Sequence, residues 1–273
     1  MDDLITAFLG ANTHYAPETR RLYTRFLREC AAILGVARWQ DVTAADMDRY
    51  IAALAQRGDS YYTRRTKYGI LRSFARYLAT RRIHLPIEGL PTLDGRKKPI
   101  TLLTQDDIVL LLRQPVKRDL PKRKRDAALL HVLWGTALTP DGIISLTLSD
   151  YDGTTLRVKG RPLPLYPTAR QHLDHYLAEG RPRLVRDPTV DSLFLTLQGK
   201  QMLKCDIATI VRHYGERAGI QATVTPQALR HSFAMYLLYQ GTTPTELNAL
   251  LGGTLDTPWM YARLKRSFDA QGL

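Results

Sequence analysis

Three Thr-Pro pairs, at 225–226, 243–244 and 257–258, constrain the C-terminal part of this chain more tightly than any other feature. Threonine is a good N-cap. Proline suits the first helical turn, where its missing N–H would find no partner anyway. Each pair therefore predicts a helix start. The first helix carries Ala228, Leu229, Phe233, Leu237 and Leu238 at helical spacing, with Gln227, Arg230 and His231 on or beside one polar side. The second has Glu246 placed as a capping-box partner and stops at Gly252-Gly253. The third puts Tyr261 in its first turn. Three short helices thus bring Arg230 and Tyr261, 261 − 230 = 31 residues apart, towards one place.

The remaining chain predicts two domains, which 273 residues with 44% hydrophobic and 24% charged content can fill. Residues 1–86 read as helices. One runs from Pro17 to Leu34 with Tyr23, Phe26, Leu27, Cys30, Ala31 and Leu34 on a stripe, and Thr43 caps a second that ends at Gly58. A third follows Ser60 to about Arg82 and carries Arg64, Arg65, Lys67, Arg72 and Arg76. Residues 87–100, with Arg96, Lys97 and Lys98, lose periodicity and read as a basic linker. In 101–273, Thr104 caps a helix from Gln105 to Leu112. The charge run Lys117–Arg125, which includes Lys122, Arg123 and Lys124, reads as a loop. A helix apolar on most sides follows from Asp126 to Ala137 and belongs at a core. Thr139-Pro140 starts another helix. Strands are expected at Thr155–Val158 and Leu163–Tyr166 around the tight turn at Lys159-Gly160-Arg161, then helices at Pro167–Leu177 and Asp206–Ala218. The fold class is mainly α with a small antiparallel sheet.

A formal charge of +13 suits a polyanion, with duplex nucleic acid the leading candidate; the same charge also fits a basic helical interaction protein with no such partner. Cys30 and Cys205 form no metal-ligand pattern, and no metal or cofactor is expected. No apolar run reaches the length of a membrane span, and the start of the chain is not a secretory signal, so a cytoplasmic location and no membrane partner are expected.

The run Gln227-Ala-Leu-Arg230, then Leu250-Leu-Gly-Gly253, then Tyr261 resembles the C-terminal active-site motif of the tyrosine recombinases, the phage integrase family. There the pattern is His-x-x-Arg, Leu-Leu-Gly-His and a nucleophilic tyrosine. The resemblance implies a helical core-binding domain at 1–86 and a catalytic-like domain at 101–273. The two would form a C-shaped clamp on double-stranded DNA, with other recombinase subunits as possible partners. It implies that Tyr261 attacks a backbone phosphate to leave a 3′-phosphotyrosine, without metal or cofactor. Arg230 would hold the phosphate, and Lys159 or Arg161 in the hairpin would protonate the leaving oxygen. The basic residues 64, 65, 67, 72, 96–98, 122–124 and 161 would follow the DNA backbone.

The sequence departs from that motif in three places. Thr139 stands where the family has its first arginine, Gln227 where it has its first histidine, and Gly253 where it has its second. Removing one preorganised donor typically lowers a rate by ~10²–10³. The expectation is a DNA-binding recombinase with a degenerate centre and weak cleavage. The alternative is an active enzyme with a rearranged constellation, with His231, Arg263 or an arginine of 117–125 as stand-in.

Overall fold

The computed structural model describes residues 1–93, 100–114, 120–158, 160–252 and 256–269, with the backbone alone at 256–259 and 267–269. The chain divides into two compact units, Met1–Lys98 and Pro99–Leu273. Among the described residues, no helix is long and apolar enough to cross a membrane.

The first unit is built from α1 (Asp2–Ala11), α2 (Pro17–Leu34), α3 (Ala44–Gln56) and α4 (Tyr61–Ala79). Pro17 opens α2, and Gly35 closes it in the left-handed conformation. Thr43 and Asp46 form a reciprocal capping box at the start of α3. Helix α1 is an addition to the sequence expectation; its Ile5, Phe8 and Leu9 lie in the core, where Phe8 stacks on Tyr23 and packs edge-on to Phe74. The core also includes Leu85 and Leu90, with Ile87 and Leu93 against it, so the segment expected as the start of a linker folds onto this unit.

Two of the arginine and lysine side chains expected on an outer face of α4 are engaged inside the unit. Lys67 is only 4% exposed, and its ammonium lies 2.7 Å from both Glu29 and Asp59. A buried cation needs such partners, and having found them it no longer faces solvent. Arg72 donates from Nη2 to the carbonyls of Leu90 and Pro91, both at 3.0 Å, and so ties down the segment after α4. Arg65 and Arg76 are exposed, and Arg64 is half-buried.

The second unit holds α5 (Gln105–Arg113), α6 (Pro121–Thr136), α7 (Pro140–Ile144), α8 (Pro167–His175), α9 (Lys204–Arg217), α10 (Pro226–Tyr239), α11 (Pro244–Leu251) and α12 (Asp256–Asp269). A two-stranded antiparallel sheet joins β1 (Thr155–Val158) to β2 (Arg161–Pro164). Its second strand starts two residues earlier than expected, because Val158 pairs directly with Arg161 and Gly160 supplies a left-handed turn at φ +76. Helix α6 is the centre of the unit. Ala128, Leu129, Leu130, Val132 and Leu133 are buried in it, and it packs on α8, α10 and α5.

Helix α6 also begins at Pro121, so residues 122–125 are helical where a loop is expected. The charge run misleads because two of its four described cations are internal. Lys124 is buried and paired with Glu179; Arg125 is buried, bonded to Asp126 at 2.6 Å and to the Leu195 carbonyl at 3.1 Å. Asp126 in turn accepts from the Tyr214 hydroxyl at 2.9 Å.

Removing one member of a buried ion network leaves charge without a partner, a loss of about 3 kcal/mol. Lys67→Ala is therefore expected to lower the unfolding free energy of the first unit by that amount, whereas Arg65→Ala on the same helix changes it by less than about 0.5 kcal/mol. Equal effects of the two substitutions in urea titrations would contradict the placement of Lys67.

Candidate active site

The site is assembled from three helix ends. Helix α10 starts as its sequence dictates, with the Thr225 hydroxyl accepting from the Ala228 N–H at 3.0 Å. Thr243 and Glu246 form the capping box of α11, and Gly252 ends it in the left-handed conformation at φ +59. A small apolar cluster fastens the three together: Phe233, Ala234, Met235, Leu237 and Leu238 from α10, Leu247 and Leu251 from α11, Tyr261 from α12, and Ala137 after α6. Helix α12 starts at Asp256, which puts Tyr261 in the second turn rather than the first. The Lys265 ammonium closes the arrangement by donating to the Leu238 carbonyl at 3.0 Å.

Arg230 leaves α10 on the side facing this cluster. Its Nη1 donates to the carbonyl of Ala137, and its Nη2 to that of Leu251 at 2.9 Å. Ala137 ends α6 with a positive φ of 51, and Leu251 is the last residue of α11. Both acceptors are thus carbonyls left without intrahelical partners at a helix C-terminus, where the helix dipole favours a cation. Burial and the neighbouring Arg161 lower the Arg230 pKa, while Tyr261 opposes the shift.

Tyr261 is fully buried. Its hydroxyl shares a 2.6 Å hydrogen bond with Nδ1 of His231, and the two rings meet edge-on with centroids 5.5 Å apart. The other nitrogen of that imidazole, Nε2, lies 3.1 Å from Nε2 of the Gln227 amide. An amide nitrogen only donates, so with the amide in this orientation Nε2 accepts and Nδ1 carries the ring proton towards the phenol oxygen; the amide turned over presents Oε1 and reverses both roles. Burial raises the phenol pKa and Arg230 pulls it back; burial, with Arg230, lowers that of His231. At neutral pH the centre holds a neutral imidazole and an un-ionised phenol.

The expected residues fall into groups. Arg230, Gln227 and Tyr261 come together around His231. Arg161 joins them from β2, donating from Nη1 to the Ala249 carbonyl of α11. Thr139 caps α7, its hydroxyl accepting from the Gly142 N–H at 3.2 Å, so that position supplies no cation. Lys159, Gly253, Arg96, Lys97, Lys98, Lys117 and Arg118 lie outside the described residues. Of the suggested stand-ins, His231 reaches the phenol. Arg263 is exposed, and Arg125 is held by Asp126. Lys122 is exposed and Arg123 half-buried, while Lys124 is internal, which removes it from the expected DNA surface.

A phenol raised by burial and lowered by one cation has a definite titration. Tyr261 is expected to titrate above its ordinary value of 10.0, and Arg230→Gln to move it higher still. Unfolding would return the phenol to its ordinary value, so this contribution to stability is complete below pH 10 and is lost as pH rises through the folded pKa. Tyrosine 13Cζ resonances followed against pH test this; a Tyr261 signal titrating at or below 10 would contradict it.

Residues 101–255 match the phage integrase family, and residues 5–82 match the phage integrase N-terminal SAM-like domain. The tyrosine recombinase XerC of Roseiflexus sp. (strain RS-1) is 29% identical over 99% of this chain and 92% of its own length. The tyrosine recombinase XerD of Proteus mirabilis is 31% identical over 83% of this chain and 75% of its own. Among solved structures, the XerH site-specific recombinase bound to palindromic difH substrate superposes with a TM-score of 0.74 at 17% identity, over 92% of this chain and 78% of that one. With both units matched in order and the catalytic-domain model spanning more than half its length, the chain belongs to the phage integrase family of tyrosine recombinases.

Proposed function

We propose that this chain is a cytoplasmic DNA-binding recombinase that acts in site-specific recombination on duplex DNA beside other recombinase subunits, and that its own strand cleavage is slow. Its family, its relatives of 29% and 31% identity and its charge of +13 support the DNA role. In the reaction, the Tyr261 oxygen bonds to the phosphorus as the bond to the 5′-oxygen breaks. The phenol proton must leave, and the 5′-oxygen must gain one. Arg230 meets the charge that gathers on the non-bridging oxygens with its remaining guanidinium donors, and it stays ionised throughout. No metal or cofactor enters these steps.

The observation that carries slow cleavage is the Gln227 amide on the outer nitrogen of His231. Donating there, the amide leaves the Nδ1 proton pointing at the phenol, so the ring can steady a phenolate but cannot take the proton that must depart. A histidine at 227, as in the family motif, would relieve that constraint. A second reading, a fully competent centre, is favoured by the short His231–Tyr261 bond itself, since the other tautomer would make the ring a base.

A nicked suicide duplex carrying a site selected for tight binding separates these readings. The expected result is DNA binding that weakens steeply with salt and a covalent adduct that forms slowly. The adduct is absent in Tyr261→Phe and forms about 10²-fold faster in Gln227→His. A wild-type protein as fast as Gln227→His would establish the competent centre instead. No duplex binding at low salt would return the chain to the class of helical interaction proteins.

A further inference from the structure

Position 139 leaves the centre one guanidinium short of the family motif, yet two guanidiniums converge on the last turn of α11. Arg230 bonds the Leu251 carbonyl at 2.9 Å, and Arg161, reaching over from β2, bonds the Ala249 carbonyl two residues earlier. Gly252 is what lets Arg161 lie there. A Cβ at that position would stand 2.8 Å from Arg161 Nη1 and 2.9 Å from Nη2, a collision in addition to the strain of a positive φ. The partners these two guanidiniums have among the described residues are backbone carbonyls, those of Ala249, Ala137 and Leu251. They are close enough for Arg161 to depress the ionisation of Arg230, and their common support is the negative end of one helix.

Two like charges held together on backbone carbonyls alone form a receptor for an anion. Guanidinium forks match the oxygens of a tetrahedral oxyanion. We infer that Arg161 and Arg230 together form a phosphate cradle at the C-terminal end of α11, with Arg161 in β2 providing the guanidinium absent at position 139. This rests on the recombinase reading for its biological ligand, a DNA backbone phosphate, but not for the binding itself. It assigns Arg161 to charge neutralisation rather than to protonation of the leaving oxygen, since a guanidinium keeps its proton at any working pH.

The test uses the full-length protein without DNA and sodium tungstate as the tetrahedral probe, read through the arginine Nε–H resonances. Arg161→Lys and Arg230→Lys each remove one resonance and so assign both. The two signals are expected to move along one saturating curve. In Arg161→Gln the Arg230 curve shifts to about tenfold weaker binding, the loss of one charge-assisted contact, with Arg161→Lys in between. An Arg161 signal that stays still while Arg230 responds would overturn the inference, as would an Arg230 curve unchanged in a folded Arg161→Gln. Should that variant not fold, the wild-type curves alone decide, because a merely helix-capping Arg161 would not follow Arg230. Failure of DNA cleavage, by contrast, would count only against the proposed function.

Discussion

The position of the phenol depends on one side chain. Arg230 sits on α10 and bonds carbonyls at the ends of α6 and α11, so a single planar cation ties one helix to the C-termini of two others. The sequence supports this at each end. Ala137 takes a left-handed conformation that presents its carbonyl, and Gly252 ends α11 at the residue after Leu251. Without that cation the two part-buried carbonyls would lose the donor they share, a costly change where water has limited access. The apolar side chains hold the helices together; the guanidinium sets their register.

That same economy restrains the chemistry. A guanidinium already engaged with two carbonyls offers fewer donors to a phosphate, and a phenol that is fully buried beside a neutral imidazole is protonated and shielded. Substrate binding would have to replace contacts that now stabilise the fold. The cluster around Tyr261 is small, and α12 is fastened to α10 by the Lys265 ammonium, the His231–Tyr261 hydrogen bond and apolar contacts, so the contacts a substrate must displace are the ones that seat Tyr261. Stability and reactivity here draw on the same groups.

Much of the framework is legible along the chain. Thr-Pro pairs, capping boxes and a glycine stop are local rules; helices α10 and α11 begin, and α11 ends, where those rules place them. What local rules miss is long-range pairing. Lys67 and Lys124 read as surface charges because Glu29, Asp59 and Glu179 lie 8 to 55 residues away in sequence. The charge run at 122–125 hides a helix for that reason, and α1 escapes notice although Ile5, Phe8 and Leu9 carry the spacing of one face. Arg161 meets α11 across 88 residues, and nothing near the hairpin announces it. His231 is adjacent to Arg230 in sequence, yet its bond to Tyr261 depends on how α12 packs.

The central claim is that Arg230 holds the helix ends together before any substrate arrives. The most direct measurement is the unfolding free energy of Arg230→Lys in the absence of DNA. A lysine keeps the charge but cannot bridge two carbonyls with a planar fork, so a loss of about 2–3 kcal/mol is expected, together with a shifted Tyr261 ring resonance. A variant as stable as the wild type, with the Tyr261 signal unmoved, would mean that the arginine serves substrate alone and that the architecture is fixed by something else.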